Sequence, residues 1–388
     1  MTSPHLHNRI ALKVLHIFKT YYPDTYGGIE EVIYQLVTHS ADVGVHAEVF
    51  TLSKEVPRAI PEDFDGHLVH RIKRNFEFAS TTFSWSAFNY FRKLSREFDL
   101  IHYHFPWPAM DLLHFYANHG KPSVVTYQSD IIKQKMLLQL YKPLQQRFLS
   151  NVQAIVATTP NYVNSSPVLG QYLEKITIIP NGIEPVPLTD AIKERIKYWE
   201  TTLSGPFFLF VGALRYYKGL DTLLEAATKV PYPVIIAGAG FEEANLKQIA
   251  RTKGLTNVMF VGAISEEDKH ALLYLSYGFV FPSCTRTEAY GIVLIEASMY
   301  GKPMITCEIG TGTSYINLDG ETGIVVPPRN PEALAGAMEA LWQNPALAQQ
   351  YGQTAKLRYE RHFTANQMMQ SYAELYRKCL QNGTAPGL

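Results

Sequence analysis

Short runs that are apolar at nearly every position alternate along this chain with longer stretches in which apolar residues recur every three or four places. In the first half the runs are VLHIF (14–18), AEVFTL (47–52), LIHYH (100–104), SVVTYQ (123–128), AIVATT (154–159) and ITIIPNG (176–182). The second half continues with FFLFVGAL (207–214), PVIIAGAG (233–240), VMFVGAI (258–264), GFVFPS (278–283), MITCEI (304–309) and GIVVPP (323–328). A strand that is apolar throughout is covered on both faces, and strands separated by helices run parallel. The pattern therefore predicts an α/β protein with two Rossmann-like, doubly wound parallel sheets. Between the two sets lies the turn NGIEPVP and then AIKERIKYWE, whose charge and weak apolar stripe predict a solvated helix beside a hinge. The boundary is expected near Gly182, with an N-terminal domain over 1–182, a C-terminal domain over 183–363, and a last helix, 364–388, packing back on the first.

Length agrees with this division, because 388 residues exceed what one ordinary core holds. Thirty-five Lys plus Arg balance thirty-five Asp plus Glu, and a nucleic-acid partner would call for a basic excess. The start has no basic segment leading into a long apolar one, and no run approaches the length of a membrane span, so a cytoplasmic chain is expected. Cys284, Cys307 and Cys379 are odd in number and lack metal-like spacing, which predicts reduced, structural thiols.

In open α/β sheets ligands bind beyond the carboxyl ends of the strands, so the residues just after each run carry the chemistry. After the first run Gly27 and Gly28 precede a helix, and either form a tight turn or let a ligand reach bare backbone amides at a helix N-terminus. After FFLFVGAL come Arg215 and Lys218, a pair that suits a diphosphate if it is not simply solvated. After GFVFPS comes TRTEAYGIVLIEASMYGKPMI (285–305). Helical period starts there near Gly291, which leaves Glu288 in the preceding loop and Glu296 in the second helical turn. Carboxylates accept hydrogen bonds from paired hydroxyls. Two acids beside a phosphate site avoid the anion by facing the sugars on either side of it, which describes a nucleotide sugar with one acid on the ribose and the other on the hexose.

These residues resemble a family. GALRYYKGLDTLLEA, GAGFEEANLK, FVGAIS and above all TEAYGIVLIEASMYGKPMI, with its E-x7-E spacing, are similar to the retaining glycosyltransferases of family 4, which have the GT-B fold. The resemblance extends over nearly the whole chain, including GGIE, PNGIE and DGETGIVVPP. It implies that Arg215 and Lys218 hold the donor diphosphate, Glu296 the ribose and Glu288 the transferred sugar. Backbone amides around Tyr290, Gly291 and Ile292 would reach the phosphate and sugar, and Ile264 would flank the base. Gly28 would approach the diphosphate from the other domain as the cleft closes. The resemblance also implies that no metal or other cofactor is needed; the HYH segment at 102–104 has no acid or cysteine partner set in the sequence.

The first domain is expected to bind the acceptor, with His104 and Asp130 on that side. The HYHFPWP and TYQSDI segments are similar to bacterial O-antigen mannosyltransferases, which implies GDP-mannose as donor and a lipid-linked glycan of a surface polysaccharide as acceptor. A UDP-sugar donor and a non-catalytic nucleotide-sugar-binding protein are the alternatives. Many members carry histidine where Gln128 stands, close to the reacting sugar; an amide can exchange hydrogen bonds there but cannot become cationic near neutral pH. After it, apolar residues at 132, 136, 137, 140, 144 and 148 form a helical stripe with Lys133, Lys135, Lys142 and Arg147 between them. Such a stripe either faces a core or lies on an anionic membrane surface.

Overall fold

The computed structural model describes residues 11–56, 59–78, 81–131 and 135–383, with the backbone alone at 60, 135, 136, 382 and 383. The chain forms two compact units. The first comprises Met1–Ala157, Gln171–Ile179 and Ala365–Leu388, and the second Thr158–Gly170 and Pro180–Thr364. The chain changes unit near the Gly182 boundary, at Pro180, and the last helix groups with the first unit from Ala365, while 158–170 group with the second. The crossings at Pro180 and at Ala365 are approached by segments that lie side by side. Ile183 bridges to Thr364, and a Cβ at Gly182 would stand 2.2 Å from the Thr364 carbonyl oxygen, so only glycine allows the two segments to pass this closely.

In the first unit the strands are β1 (Leu12–Ile17), β2 (Val45–Ser53), β3 (Ile60–Phe64), β4 (His67–Lys73), a small pair β5 (Phe76–Phe78) and β6 (Thr81–Phe83), then β7 (Leu100–Phe105), β8 (Ser123–Tyr127), β9 (Ala154–Ala157) and β10 (Ile176–Ile178). The main sheet has the order β10-β9-β8-β7-β1-β2-β4-β3, parallel except for the β3–β4 hairpin. In the second unit β11 (Phe208–Val211), β12 (Val234–Ala237), β13 (Val258–Gly262), β14 (Gly278–Phe281), β15 (Met304–Cys307) and β16 (Gly323–Val326) form one parallel sheet in the order β13-β12-β11-β14-β15-β16. The order reverses between β11 and β14, the switch point where such sheets open a crevice. Both strands are buried at every position, as their wholly apolar sequences require.

The helix after the hinge, Asp190–Thr202, is not the solvated element its charge suggests. Thr189 caps it by accepting from the Ile192 amide at 3.3 Å. Ile192, Ile196 and Trp199, one stripe at helical spacing, are buried, and the Trp199 indole donates to Asp268 at 2.7 Å. Three apolar side chains were enough to dock it.

Candidate active site

The loop from β11 carries Arg215 and Lys218, and the loop from β14 carries Glu288. Gly219 brings the loops together: its φ is +66°, and a Cβ there would lie 2.0 Å from the carbonyl oxygen of Pro282, just past β14. The Cys284 amide donates to the Tyr217 carbonyl at 2.8 Å. Lys218 Nζ then meets Glu288 Oε2 at 2.5 Å, and Ser283 donates to the same oxygen at 3.2 Å. Both ionic groups are buried, and Lys218 also lies 4.4 Å from the centre of the Phe281 ring. Burial, with the Glu288 charge behind it, pushes the neighbouring Tyr217 hydroxyl up to about 12. Arg215 is different. It is exposed, with its guanidinium 5.7 Å from the ring centre of Phe241, itself an exposed aromatic at this mouth.

The helix that sequence period places near Gly291 runs over Ile292–Met299, with Gly291 as N-cap and no side chain bonded to the cap. Helix geometry leaves the first amides of such a turn without an intrahelical partner; the Leu294 amide donates to the Gly291 carbonyl at 2.9 Å. The approach to this helix is fixed by Tyr290, whose hydroxyl donates to the Asn181 carbonyl at 3.0 Å, and by the Gly312 amide, which donates to the Ala289 carbonyl at 3.0 Å. Glu296 falls in the second turn as expected, but its carboxylate has a partner that the sequence did not suggest: Lys269 Nζ lies 2.6 Å from Oε1. Ile264 is half-buried in the loop that leaves β13. Arg286, also missed, reaches back to the Ser165 carbonyl and holds the Glu288 loop against the 158–170 segment.

In the first unit Gly28 opens the helix Gly28–Thr38 and is exposed. Glu30, in its first turn, is buried and accepts from the Thr20 and Thr25 hydroxyls at 2.8 Å each. Its Oε2 would stand 2.6 Å from a Cβ on Gly27. A carboxylate of the chain itself thus occupies part of the positive end of this helix. Gln128 follows β8; its amide nitrogen donates to the Phe105 carbonyl at 3.1 Å, and its side chain is buried with Nε2 lacking a hydrogen-bond partner. Asp130 accepts from the Tyr127 hydroxyl at 2.9 Å.

The structure corrects the reading of His104. It has no exposed surface, so it is not presented to an acceptor. The β1–β7 register pairs His16 with His102, and β7 alternation puts His104 on the same face. The result is a buried histidine layer in which His16 Nδ1 lies 3.1 Å from His104 Nε2. His102 is held between Thr126 at 2.7 Å and Tyr376 at 2.7 Å, the latter from the last helix, Ala365–Gly383. Three histidines close together raise the question of a metal. Both ring nitrogens of His102 are already engaged, and its ring lies tilted against that of His104 with centres 4.3 Å apart, whereas ligands to one ion must point their in-plane lone pairs at a common centre. The layer reads as packing beneath the last helix.

Comparison with known proteins matches these two halves to two family models: "Glycosyltransferase Family 4" over residues 26–186 and "Glycosyl transferases group 1" over 193–358. The chain is 52% identical over 355 residues to D-rhamnosyltransferase WbpZ of Pseudomonas aeruginosa, covering 91% of this chain and 93% of that protein. It is 47% identical over 371 residues to O-antigen chain mannosyltransferase C of Escherichia coli, covering 96% and 100%. The chain belongs to glycosyltransferase family 4. Among solved structures, Anabaena Alr3699/HepE in complex with UDP superposes with a TM-score of 0.76 at 18% identity, over 95% of this chain and 100% of that one. That likeness establishes the GT-B fold.

As a GT-B glycosyltransferase, the chain gathers its ionic groups in the second unit at one sheet mouth. Lys218 and Glu288 are joined there by a glycine contact, and the open N-terminus of the Ile292–Met299 helix follows from the same loop. Preorganised cations and amides of this kind act on charge that develops during reaction.

Proposed function

We propose that this transferase moves mannose from GDP-mannose, with retention at the anomeric carbon, onto a lipid-linked or polysaccharide acceptor in assembly of a bacterial O-antigen-like surface glycan. The observation that carries the reading is the buried Lys218–Glu288 pair at the β11/β14 switch point beside an uncapped helix N-terminus. It supplies a cation for a diphosphate and an acid for sugar hydroxyls in one place. Similarity over nearly full length to an O-antigen mannosyltransferase supports the sugar and the acceptor class. The higher identity to a D-rhamnosyltransferase favours a second reading, in which the transferred sugar is the 6-deoxy form of D-mannose.

In this mechanism Arg215, Lys218 and the amides of Tyr290, Gly291 and Ile292 counter the charge that grows on the departing diphosphate. Lys218 has three N–H donors and can keep Glu288 while reaching a phosphate oxygen. Glu296 accepts from the ribose hydroxyls, Glu288 from the hexose, and Ile264 flanks the base. From the first unit, Gly28 approaches the diphosphate, Gln128 gives its unpartnered Nε2–H to the donor sugar, and Asp130 accepts from the acceptor. The acceptor hydroxyl attacks from the face the nucleoside diphosphate leaves, and the leaving phosphate takes its proton. No protein base is required, and the cationic work falls to side chains of the chain rather than to a metal.

The acceptor side also supports contact with an anionic membrane. No helix among the described residues is long and apolar enough to cross one. The helix Lys135–Asn151 instead exposes Leu137 and Leu140 beside Lys142.

A panel of GDP-mannose, GDP-D-rhamnose and UDP-glucose, read by thermal stabilisation and by turnover with a lipid-linked acceptor, tests the reading. GDP-mannose should stabilise the protein and yield a product of retained configuration. Stabilisation by UDP-glucose alone would replace the donor, and tight binding with no turnover on any acceptor would make the chain a binding protein.

A further inference from the structure

Lys269 lies in the first turn of the helix Glu266–Leu275, just beyond Ile264, and reaches across to the Ile292–Met299 helix. Its Nζ is 2.6 Å from Glu296 Oε1 and 2.5 Å from Glu266 Oε2. The two acids are not equivalent. The Glu266 side chain is 75% exposed and screened by water, whereas that of Glu296 is 12% exposed. Burial alone would discharge Lys269; the two carboxylates outweigh it and hold the ammonium above its ordinary range. His270 and Tyr300 close the far side, with the Tyr300 hydroxyl 3.1 Å from His270 Nδ1. The acids Glu266 and Glu296 with His270 could in principle hold a metal ion, but the cation they hold is this lysine.

A carboxylate that must receive a pair of sugar hydroxyls works best if its rotamer is set beforehand, since each unfixed torsion costs binding free energy. Lys269 grips one oxygen of Glu296 and leaves acceptor capacity on both. We infer that Lys269 is a positioning residue for nucleotide recognition: it fixes Glu296 in the orientation that accepts the two ribose hydroxyls of the donor. The inference rests on the reading of Glu296 as the ribose acceptor.

The test is calorimetric binding of GDP and 2′,3′-dideoxy-GDP, with UDP and its dideoxy form in parallel, to the parent and to Lys269→Met, Lys269→Arg and Glu296→Ala. The parent should prefer the ribose form. Lys269→Met should weaken binding of the ribose nucleotide by about 10- to 100-fold, the scale of one lost hydrogen bond to a charged group, and leave the dideoxy form unchanged, so that the preference collapses. Lys269→Arg should retain most of it. In turnover, KM for the donor should rise while kcat stays near the parent value. If Lys269→Met does not fold, Lys269→Gln removes the charge with less change in packing and is read by the same ratio. A parent-like preference in the Met or Gln variant, with the preference lost in Glu296→Ala, overturns the role of Lys269. A parent-like preference in Glu296→Ala itself overturns the ribose reading, and the inference with it.

Discussion

Arg215 and Lys218 are three positions apart in one motif, yet their surroundings separate what each does. Arg215 is exposed and rests on Phe241, so its loss should be felt only when a ligand is bound. Lys218 balances the buried Glu288 at 2.5 Å, and removing one partner of a buried pair strands the other. Arg215→Ala should therefore weaken nucleoside diphosphate binding by roughly 1.5 to 3 kcal/mol with an unchanged melting temperature. Lys218→Ala should weaken binding by a similar amount and also destabilise the fold by about 3 kcal/mol or more. Calorimetric titration together with thermal melting checks both, and equal stability of the two variants would mean that the Lys218–Glu288 pair is not formed in solution. Gln128 is the other residue set apart by its surroundings. Its Nε2 is a buried donor without a partner, an arrangement that costs free energy unless a ligand completes it, and the contact proposed with the donor sugar would complete it.

The elements were legible in the sequence where apolar runs were unbroken, and each run named from the sequence is a strand. The edge hairpin β3–β4 escaped because its strand HLVHRIK mixes His, Arg and Lys with its apolar residues. A signal was present all the same: Asp65 and Gly66 both have positive φ, the two-residue turn that Asp-Gly favours. Glu288 and Glu296 were placed correctly because loop and helical period are local properties. The Lys269–Glu296 pair and the His16 layer were not found, since their partners lie on a neighbouring helix or strand and no local period reports such pairs. The helix Lys135–Asn151 shows an intermediate case. Its sequence stripe could face a core or a membrane, and the structure divides it, burying Phe148 and Leu149 while leaving Leu140 80% exposed; Ile132 and Lys133 lie outside the described residues, as do the side chains of Lys135 and Met136. Replacing Leu137 and Leu140 with asparagine and Lys142 with glutamate should lower co-sedimentation with anionic liposomes and leave the melting temperature nearly unchanged, because these side chains are already in water. Phe148→Ala, by contrast, should cost about 3 to 5 kcal/mol. Undiminished sedimentation of the triple variant would remove this surface from the membrane proposal.

For the whole chain, equal numbers of acids and bases leave net charge near neutrality to the 13 histidines, and the fold commits several of them to the uncharged form. Burial drives His16 down to about 3 and His119 to about 4, and puts His102 and His104 well below their ordinary value. In the unfolded chain these rings take protons near pH 6.5. Below that pH the unfolded state binds more protons than the native one, so stability is complete above pH 6.5 and declines as pH falls toward 3. For His16 alone the loss at pH 5 is about 2 kcal/mol, from 1.5 pH units at about 1.4 kcal/mol each. Asp111 opposes the trend, since burial raises its carboxyl and stabilises the fold on acidification, but it is one group against several. The place most exposed to the effect is the histidine layer, where Tyr372 and Tyr376 of the last helix close over His102 and Thr126. Scanning calorimetry should therefore show a melting temperature that is level from pH 8 to 7 and falls steeply between 6.5 and 5. A His16→Leu variant should lose about one proton's share of that slope, since the remaining rings still titrate. A melting temperature that stays level down to pH 5 would mean that water or counter-charges reach this layer, and that the last helix is not sealed over the sheet as the structure shows it.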